Sequence, residues 1–377
     1  MSFSERIESF PPHPSATTTP RQRVLVVDDS AFMRQLVREV ITESGEFDVV
    51  GAARDGLDAL RQVREFNPDL ITLDIDMPGL DGLSTLERIM RECPRPVVML
   101  SAGGSDGGAD ATLRALDLGA VDFVRKPSGA ISLDLDAVRE QLLQALRAAA
   151  AVDVARLGVA PVERRDRRQL EPAHSVPVGI PRFLVCVAAS TGGPAALGQI
   201  IPALPRFPDA AVLIVQHMPP GFTASFAQRL HGVARMEVRE AQEGDRLRPG
   251  HAYLAPGGWH LRVVGDPGGP MLRLDDGPTA WGVRPAADPL FTSAVALYGS
   301  ACLGVVLTGM GRDGAAGLLE IRRAGGLGIV QDRASAVIPG MPDAALRAAG
   351  ADEIAPLAAM AATITALVER LRNRGDR

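Results

Sequence analysis

Near-continuous apolar stretches, each followed by a stretch of helical period, recur in two series along this chain, and that recurrence leaves few folds open. The first series is RVLVV (Arg23 to Val27), FDVVGAA (Phe47 to Ala53), DLITLD (Asp69 to Asp74), PVVMLS (Pro96 to Ser101) and VDFVRK (Val121 to Lys126). Strands this apolar have no polar face to turn to water. They belong in a parallel sheet covered on both sides by crossover helices. Between the first two, Phe32, Leu36 and Val40 repeat every fourth residue, and Met33, Val37 and Ile41 repeat one residue on, giving one wide apolar stripe. Leu135, Val138, Leu142 and Leu146 form a similar stripe after the fifth strand. The pattern predicts a (βα)5 unit of flavodoxin-like type over residues 22–148.

Residues 1–21 are polar and proline-rich and read as a flexible tail. Residues 149–181, with VAPVERRDRRQLEPAHSVPVGIP, mix charge and proline without an apolar face and read as a linker. A second alternating series then occupies residues 182–374. FLVCVA (from Phe183), AAVLIVQ (from Ala210), LGVVLTG (from Leu303) and LGIVQD (from Leu327) are its strands, which predicts a doubly wound parallel α/β domain. Between about 236 and 275, HAYLAP, HLRVV and MLRL are short and divided by PGG and DPGGP, which predicts a small antiparallel excursion.

The balance of 40 Lys plus Arg against 45 Asp plus Glu, net −5, argues against a protein that coats nucleic acid. At 46% hydrophobic residues the chain has material for two cores and is not disordered as a whole. Cys93, Cys186 and Cys302 are too few and scattered for a disulfide framework or a zinc site, and read as buried free thiols. No uninterrupted apolar run is long enough to span a membrane, and the first twenty residues do not look like a signal peptide. The expectation is a cytoplasmic monomer.

The carboxyl ends of the first series carry Asp28 and Asp29, Asp74, Ser101, and Lys126 with Pro127. In a parallel sheet these ends converge on one edge. Strand-end aspartates taken singly serve equally as helix caps. Three together would repel one another unless a cation joined them, and oxygen ligands suit Mg²⁺. Asp74 would then be free to act as a nucleophile toward a phosphoryl group. The stretches VVDDS (26–30), LDIDMPGLDG (73–82), LSA (100–102) and VRKP (124–127) resemble the receiver domain of two-component signalling. The resemblance implies phosphorylation of Asp74 by a histidine kinase and magnesium held by Asp28, Asp29 and Asp74. It also implies a switch formed by Ser101, Lys126 and Phe123. No basic helix-turn-helix module follows, which argues against a transcription factor.

In the second series VAASTGG (Val187 to Gly193) leaves a strand and enters a helix. A serine there can be an exposed nucleophile backed by helix N–H groups, part of a phosphate-binding loop, or a cap. His217 follows the next strand and Asp313 lies in TGMGRDGA at another strand-to-helix junction. Ser190, His217 and Asp313 can therefore meet at one sheet edge as nucleophile, base and orienting carboxylate. The order Ser, His, Asp differs from that of α/β-hydrolases, and the first glycine of G-x-S-x-G is replaced by Ala188.

ASTGGPAAL (189–197), QHMPPGFTASFAQRL (216–230), HAYLAPGG (251–258), RPAADPLFTSA (284–294), LTGMGRDGAAGLL (307–319) and QDRASAVIPGMPDAAL (331–346) resemble the chemotaxis protein-glutamate methylesterases, the CheB family. That resemblance implies hydrolysis of glutamate methyl esters on the cytoplasmic helices of methyl-accepting chemoreceptors, with deamidation of particular glutamines. It implies Ser190, His217 and Asp313 as the catalytic triad, no cofactor in the esterase domain, and Thr191 and Met310 lining the site, Met310 through an oxyanion-stabilising N–H. Members usually have glycine where Ala188 stands; alanine is harmless there if the backbone is extended. A second departure, GGSDGG (103–108), opens the loop after Ser101. An unphosphorylated receiver packed over the Ser190 edge would explain why the two units share a chain. The rival readings are a regulator whose second domain lacks a competent triad, a phosphate- or nucleotide-binding module, which would need the P-loop lysine, and an esterase serving receptors of another chemosensory pathway.

Overall fold

The computed structural model describes residues 21–102, 108–127, 135–152 and 179–375. Most of the expected tail and linker, and the glycine-rich opening after Ser101, lie outside the described residues. The first unit alternates β1 (Gln22–Val27), α1 (Ala31–Ser44), β2 (Phe47–Ala53), α2 (Gly56–Phe66), β3 (Leu70–Asp74), α3 (Gly82–Glu92), β4 (Val97–Ser101), α4 (Gly108–Asp117), β5 (Asp122–Arg125) and α5 (Leu135–Ala150). Its strands pair in the order β2-β1-β3-β4-β5, all parallel, so the direction of winding reverses between β1 and β3. Side-chain caps start the helices: Ser30, Asp55 and Asp81 accept the amides of Met33, Asp58 and Ser84. The apolar stripe of α1 is narrower than its spacing predicts. Val37, Val40 and Ile41 are buried, whereas Phe32 is 56% exposed.

The second unit opens with β6 (Phe183–Ala189), α6 (Gly193–Ala203), β7 (Ala210–Gln216), α7 (Thr223–Val233), β8 (Glu237–Glu240), β9 (His251–Leu254), β10 (His260–Val264) and β11 (Met271–Asp275). It continues with α8 (Ala287–Tyr298), β12 (Cys302–Val306), α9 (Ala315–Arg323), β13 (Leu327–Gln331), α10 (Gly340–Ala349), β14 (Glu353–Ala355) and α11 (Leu357–Gly375). Seven strands form one parallel sheet in the order β14-β13-β12-β6-β7-β9-β8. The reversal of winding falls at β6, between β7 and β12, which is where such folds open a crevice.

The antiparallel excursion is smaller than the turn signals predict. Only β10 and β11 form it, with His260 opposite Asp275 and Val264 opposite Met271. HAYL instead joins the main sheet as β9, parallel to β7 and β8 and buried along its length. The third expected strand of this unit also stops early, at Val306. Thr308 beyond it takes Gln331 Oε1 on its amide and donates its hydroxyl to the Thr191 carbonyl. Among the described residues no helix is long and apolar enough to cross a membrane.

Candidate active site

Strands β6 and β7 run in register, with Ala189 opposite Gln216, so Ser190 and His217 leave the sheet side by side. The His217 amide donates to the Ala189 carbonyl at 3.0 Å, and the Ser190 amide donates to the Thr308 carbonyl at 3.0 Å. Gly192 turns the chain with φ +77°, and a Cβ there would lie 2.7 Å from that of Val337. A Cβ on Gly193 would come within 2.1 Å of Gln216 Oε1. Space requires glycine at both positions, and conformation requires it at Gly192 as well. Ala188, by contrast, lies inside β6 with a backbone outside the left-handed region, so alanine is accommodated there without strain.

His217 Nε2 sits 2.7 Å from Asp313 Oδ2. Asp313 is buried and its remaining lone pairs are filled by backbone. Ala287 N–H reaches Oδ2 at 2.5 Å, while the Asp288 and Gly314 amides reach Oδ1 at 3.0 Å. The first two amides open α8, whose N-terminal potential favours negative charge. Burial pushes the Asp313 carboxyl up, but the hydrogen bond and charge of His217 and the amides of α8 outweigh it and hold the group below the usual carboxylate range. With Nε2 committed to Asp313, Nδ1 is the ring nitrogen left over. Among the described residues no hydrogen bond joins Ser190 Oγ to the ring. Met310 is 39% exposed, and Thr191 is buried with its hydroxyl on Asp122 of the first unit.

Gln216 is a residue that sequence reasoning missed. Its buried amide donates to the carbonyls of both Ser190 and His217 at 3.0 Å, fixing one strand end against the other. A glutamine immediately before a strand-end histidine was the available signal.

At the edge of the first sheet the carboxylates of Asp28, Asp29 and Asp74 offer ligand atoms within 4.8 Å of one another, a set suited to a divalent cation. Lys126 Nζ lies 2.7 Å from both Asp28 and Asp74. The Oδ2 atoms of Asp28 and Asp74 that Lys126 reaches are buried and have no other donor. Buried oxygens this poor in donors fit a cation. Burial is the main influence on Asp74 and, with the nearby Asp28 charge, pushes its carboxyl up to about 6 against the pull of Lys126. For Lys126 burial acts against the charge, and the two carboxylates outweigh it and raise the pKa. Ser101 Oγ is 2.9 Å from Thr112 Oγ1 on α4.

Residues 185–364 match the family model described as CheB methylesterase, and residues 24–138 match that of the response regulator receiver domain. The chain is 44% identical over 356 residues to a protein-glutamate methylesterase/protein-glutamine glutaminase of Pyrococcus horikoshii, covering 94% of this chain and 95% of that one. Against the protein of the same name from Symbiobacterium thermophilum it is 48% identical over 354 residues, covering 92% and 97%. The chain belongs to this family. The crystal structure of the Thermotoga maritima CheB methylesterase catalytic domain is 38% identical, spans 51% of this chain and 99% of its own, and superposes with a TM-score of 0.48.

The two halves of this family member meet at the Ser190 edge. Thr191 Oγ1 donates to Asp122 Oδ2 at 2.6 Å, and the Phe123 ring packs 4.6 Å from that of Phe222, at the start of α7. Asp117 at the end of α4 pairs with Arg229 on α7. Ile338 joins the apolar cluster of Val121, Val124 and Leu142. Asp122 had no signal in the sequence, since it falls inside a strand. Burial pushes its carboxyl up, against the Thr191 hydroxyl, the Phe123 amide and the charge of His217.

Proposed function

We propose that the chain is a phosphorylation-regulated methylesterase that hydrolyses glutamate methyl esters on chemoreceptor helices, releasing methanol, and that it deamidates receptor glutamines by the same chemistry. The observation that carries this reading is the saturated Asp313 carboxylate on His217, beside Ser190 at the reversal point of the sheet. Asp313 keeps its charge and holds the ring. His217 takes the Ser190 proton at Nδ1 as Oγ attacks the ester carbon. The Met310 N–H donates to the developing oxyanion. His217 then returns the proton to the leaving methoxide, and water hydrolyses the acyl-enzyme with His217 again as base.

The receiver occupies residues 22–148 and the esterase residues 182–374, with 149–181 between them. Asp74 accepts a phosphoryl group from the chemotaxis histidine kinase. Asp28, Asp29 and Asp74 would hold Mg²⁺, which would supply positive charge against the phosphoryl oxygens. Asp122, Phe123 and Asp117 hold the unphosphorylated receiver on the α6–α7 edge, and the rearrangement of Ser101 and Phe123 on phosphorylation loosens that hold. The protein acts in the cytoplasm as a monomer. Methanol release from methylated receptor fragments tests the chemistry: the wild type releases it and Ser190→Ala does not. Equal release from both proteins contradicts the assignment.

A further inference from the structure

Exposed side chains beside Asp313 form an arrangement that the hydrolytic chemistry does not use. Trp281 is 50% exposed and sits at φ +55° beside Gly282 at +79°, in a two-residue turn closed by reciprocal hydrogen bonds between Ala280 and Val283. A bulky residue in left-handed backbone is strained, so the turn holds this indole against a local penalty. The indole N–H donates to Asp288 Oδ2 at 2.8 Å, and Asp288 Oδ1 accepts the Gly317 amide at 2.8 Å. Asp288 in turn gives its own amide to Asp313, so the indole is anchored to the frame that holds the triad carboxylate.

Arg312, the residue before Asp313, lies with its guanidinium carbon 4.4 Å above the Trp281 ring. Stacking occupies the flat face of a guanidinium and leaves its in-plane N–H groups free. Arg312 is exposed, and among the described residues no carboxylate pairs with it. Arg284 behaves differently: its Nη1 donates to the carbonyls of Asp276 and Gly277. Met310, two residues before Arg312, is also exposed, at 39%. Exposed Trp, Met and Arg are the residue types that anchor interfaces.

We propose that Arg312, held flat on Trp281, reads an unesterified carboxylate on the substrate helix and so directs the enzyme to ester sites within acidic segments. Resting on the esterase reading, this names the sequence class on which the same site acts. A planar fork of donors pairs with a carboxylate in two parallel hydrogen bonds. On a helix, glutamates three or four residues from the ester share its face. Each hydrolysis also creates a new carboxylate of the kind Arg312 binds, so one demethylated site favours attack on the next.

The test uses the full chain with a phosphodonor and two helical peptides, each carrying one glutamate γ-methyl ester. One peptide has Glu, the other Gln, at the positions three and four residues away on both sides. The wild type should favour the Glu peptide by about tenfold in kcat/KM, mostly through KM, with the preference shrinking at high salt. In Arg312→Gln and in Trp281→Ala the ratio between peptides should fall to about one, and Arg312→Lys should restore part of it. The ratio is internal to each variant, so a loss of folded protein does not alter it. A wild-type ratio near one, or a ratio that survives Arg312→Gln, overturns the inference and leaves the esterase reading standing. Hydrolysis of neither peptide, at the level of Ser190→Ala, overturns both.

Discussion

Two sheet edges in this molecule gather buried carboxylates at the ends of parallel strands, and they treat them in opposite ways. Asp313 is surrounded by donors, with three backbone amides and an imidazole filling its lone pairs. Asp74 shares its edge with two more carboxylates, and its buried inner oxygen has the Lys126 ammonium as its one partner, shared with Asp28. The first group is held below the usual carboxylate range and the second is pushed up to about 6. A strand end supplies convergence only; the surrounding donors decide whether a carboxylate keeps a fixed charge or remains open to a cation and a phosphoryl group. In the proposed mechanism the saturated carboxylate orients and the unsaturated one reacts.

The sharpest attempt to break this contrast is Asp313→Asn. It keeps the shape while removing the charge that fixes His217, and kcat for methyl ester hydrolysis should fall by about 10⁴-fold. Asp74→Asn in the same assay should leave hydrolysis without phosphodonor intact. Next in size is Gln216→Leu, which removes both donors that tie Ser190 to His217. We expect about a 10²-fold loss in kcat with little change in KM, the mark of a positioning residue.

A smaller effect tests the contact between the edges. Asp122→Ala frees the Thr191 hydroxyl, and unphosphorylated activity should rise about tenfold. Because burial raises the Asp122 carboxyl, the docked form binds its proton more tightly than the open form. Docking is therefore strongest below the ordinary carboxylate range and weakens as pH rises through the raised value. Basal activity of Asp122→Ala, relative to wild type, should show the largest excess at the acid end of the range. An excess that grows toward alkaline pH would contradict the sign.

For Asp74 the same reasoning concerns stability. With its folded value near 6 against a usual 3.8, the cation-free receiver should lose stability as pH rises from about 4 through 6. Saturating Mg²⁺ should flatten that slope in thermal unfolding monitored by circular dichroism, and a slope unaffected by the cation would remove the proposed site. The smallest effect belongs to Ala188→Gly. In an extended strand glycine brings only added chain entropy, so stability should drop by about 1 kcal/mol with no gain in activity. A gain would show that the alanine strains the turn.

The strands that carry both sites were legible because runs such as AAVLIVQ are apolar on both faces and end in a polar residue. Ser190, His217 and Asp313, like Asp28, Asp29 and Asp74, follow from strand ends and the family's motifs. What the sequence hid depends on three-dimensional partners. HAYL reads as a hairpin strand because its flanking turns are local signals, while its pairing with β7 is not. Asp122 and Thr191 become partners only when two units of separate hydrophobic pattern are docked. Trp281 and Arg312 lie apart in sequence, and nothing in either neighbourhood announces that one stacks on the other.

The central claim is that the reactive edge of the receiver controls the hydrolytic edge of the esterase through the Asp122–Phe123 contact. Its most direct test is methanol release from methylated receptor fragments with and without a small phosphodonor, in wild type, Asp74→Asn and Asp122→Ala. The account expects strong stimulation of the wild type, none in Asp74→Asn, and a raised, weakly stimulated rate in Asp122→Ala. Full phosphorylation of Asp74 with no change in the wild-type rate would contradict it.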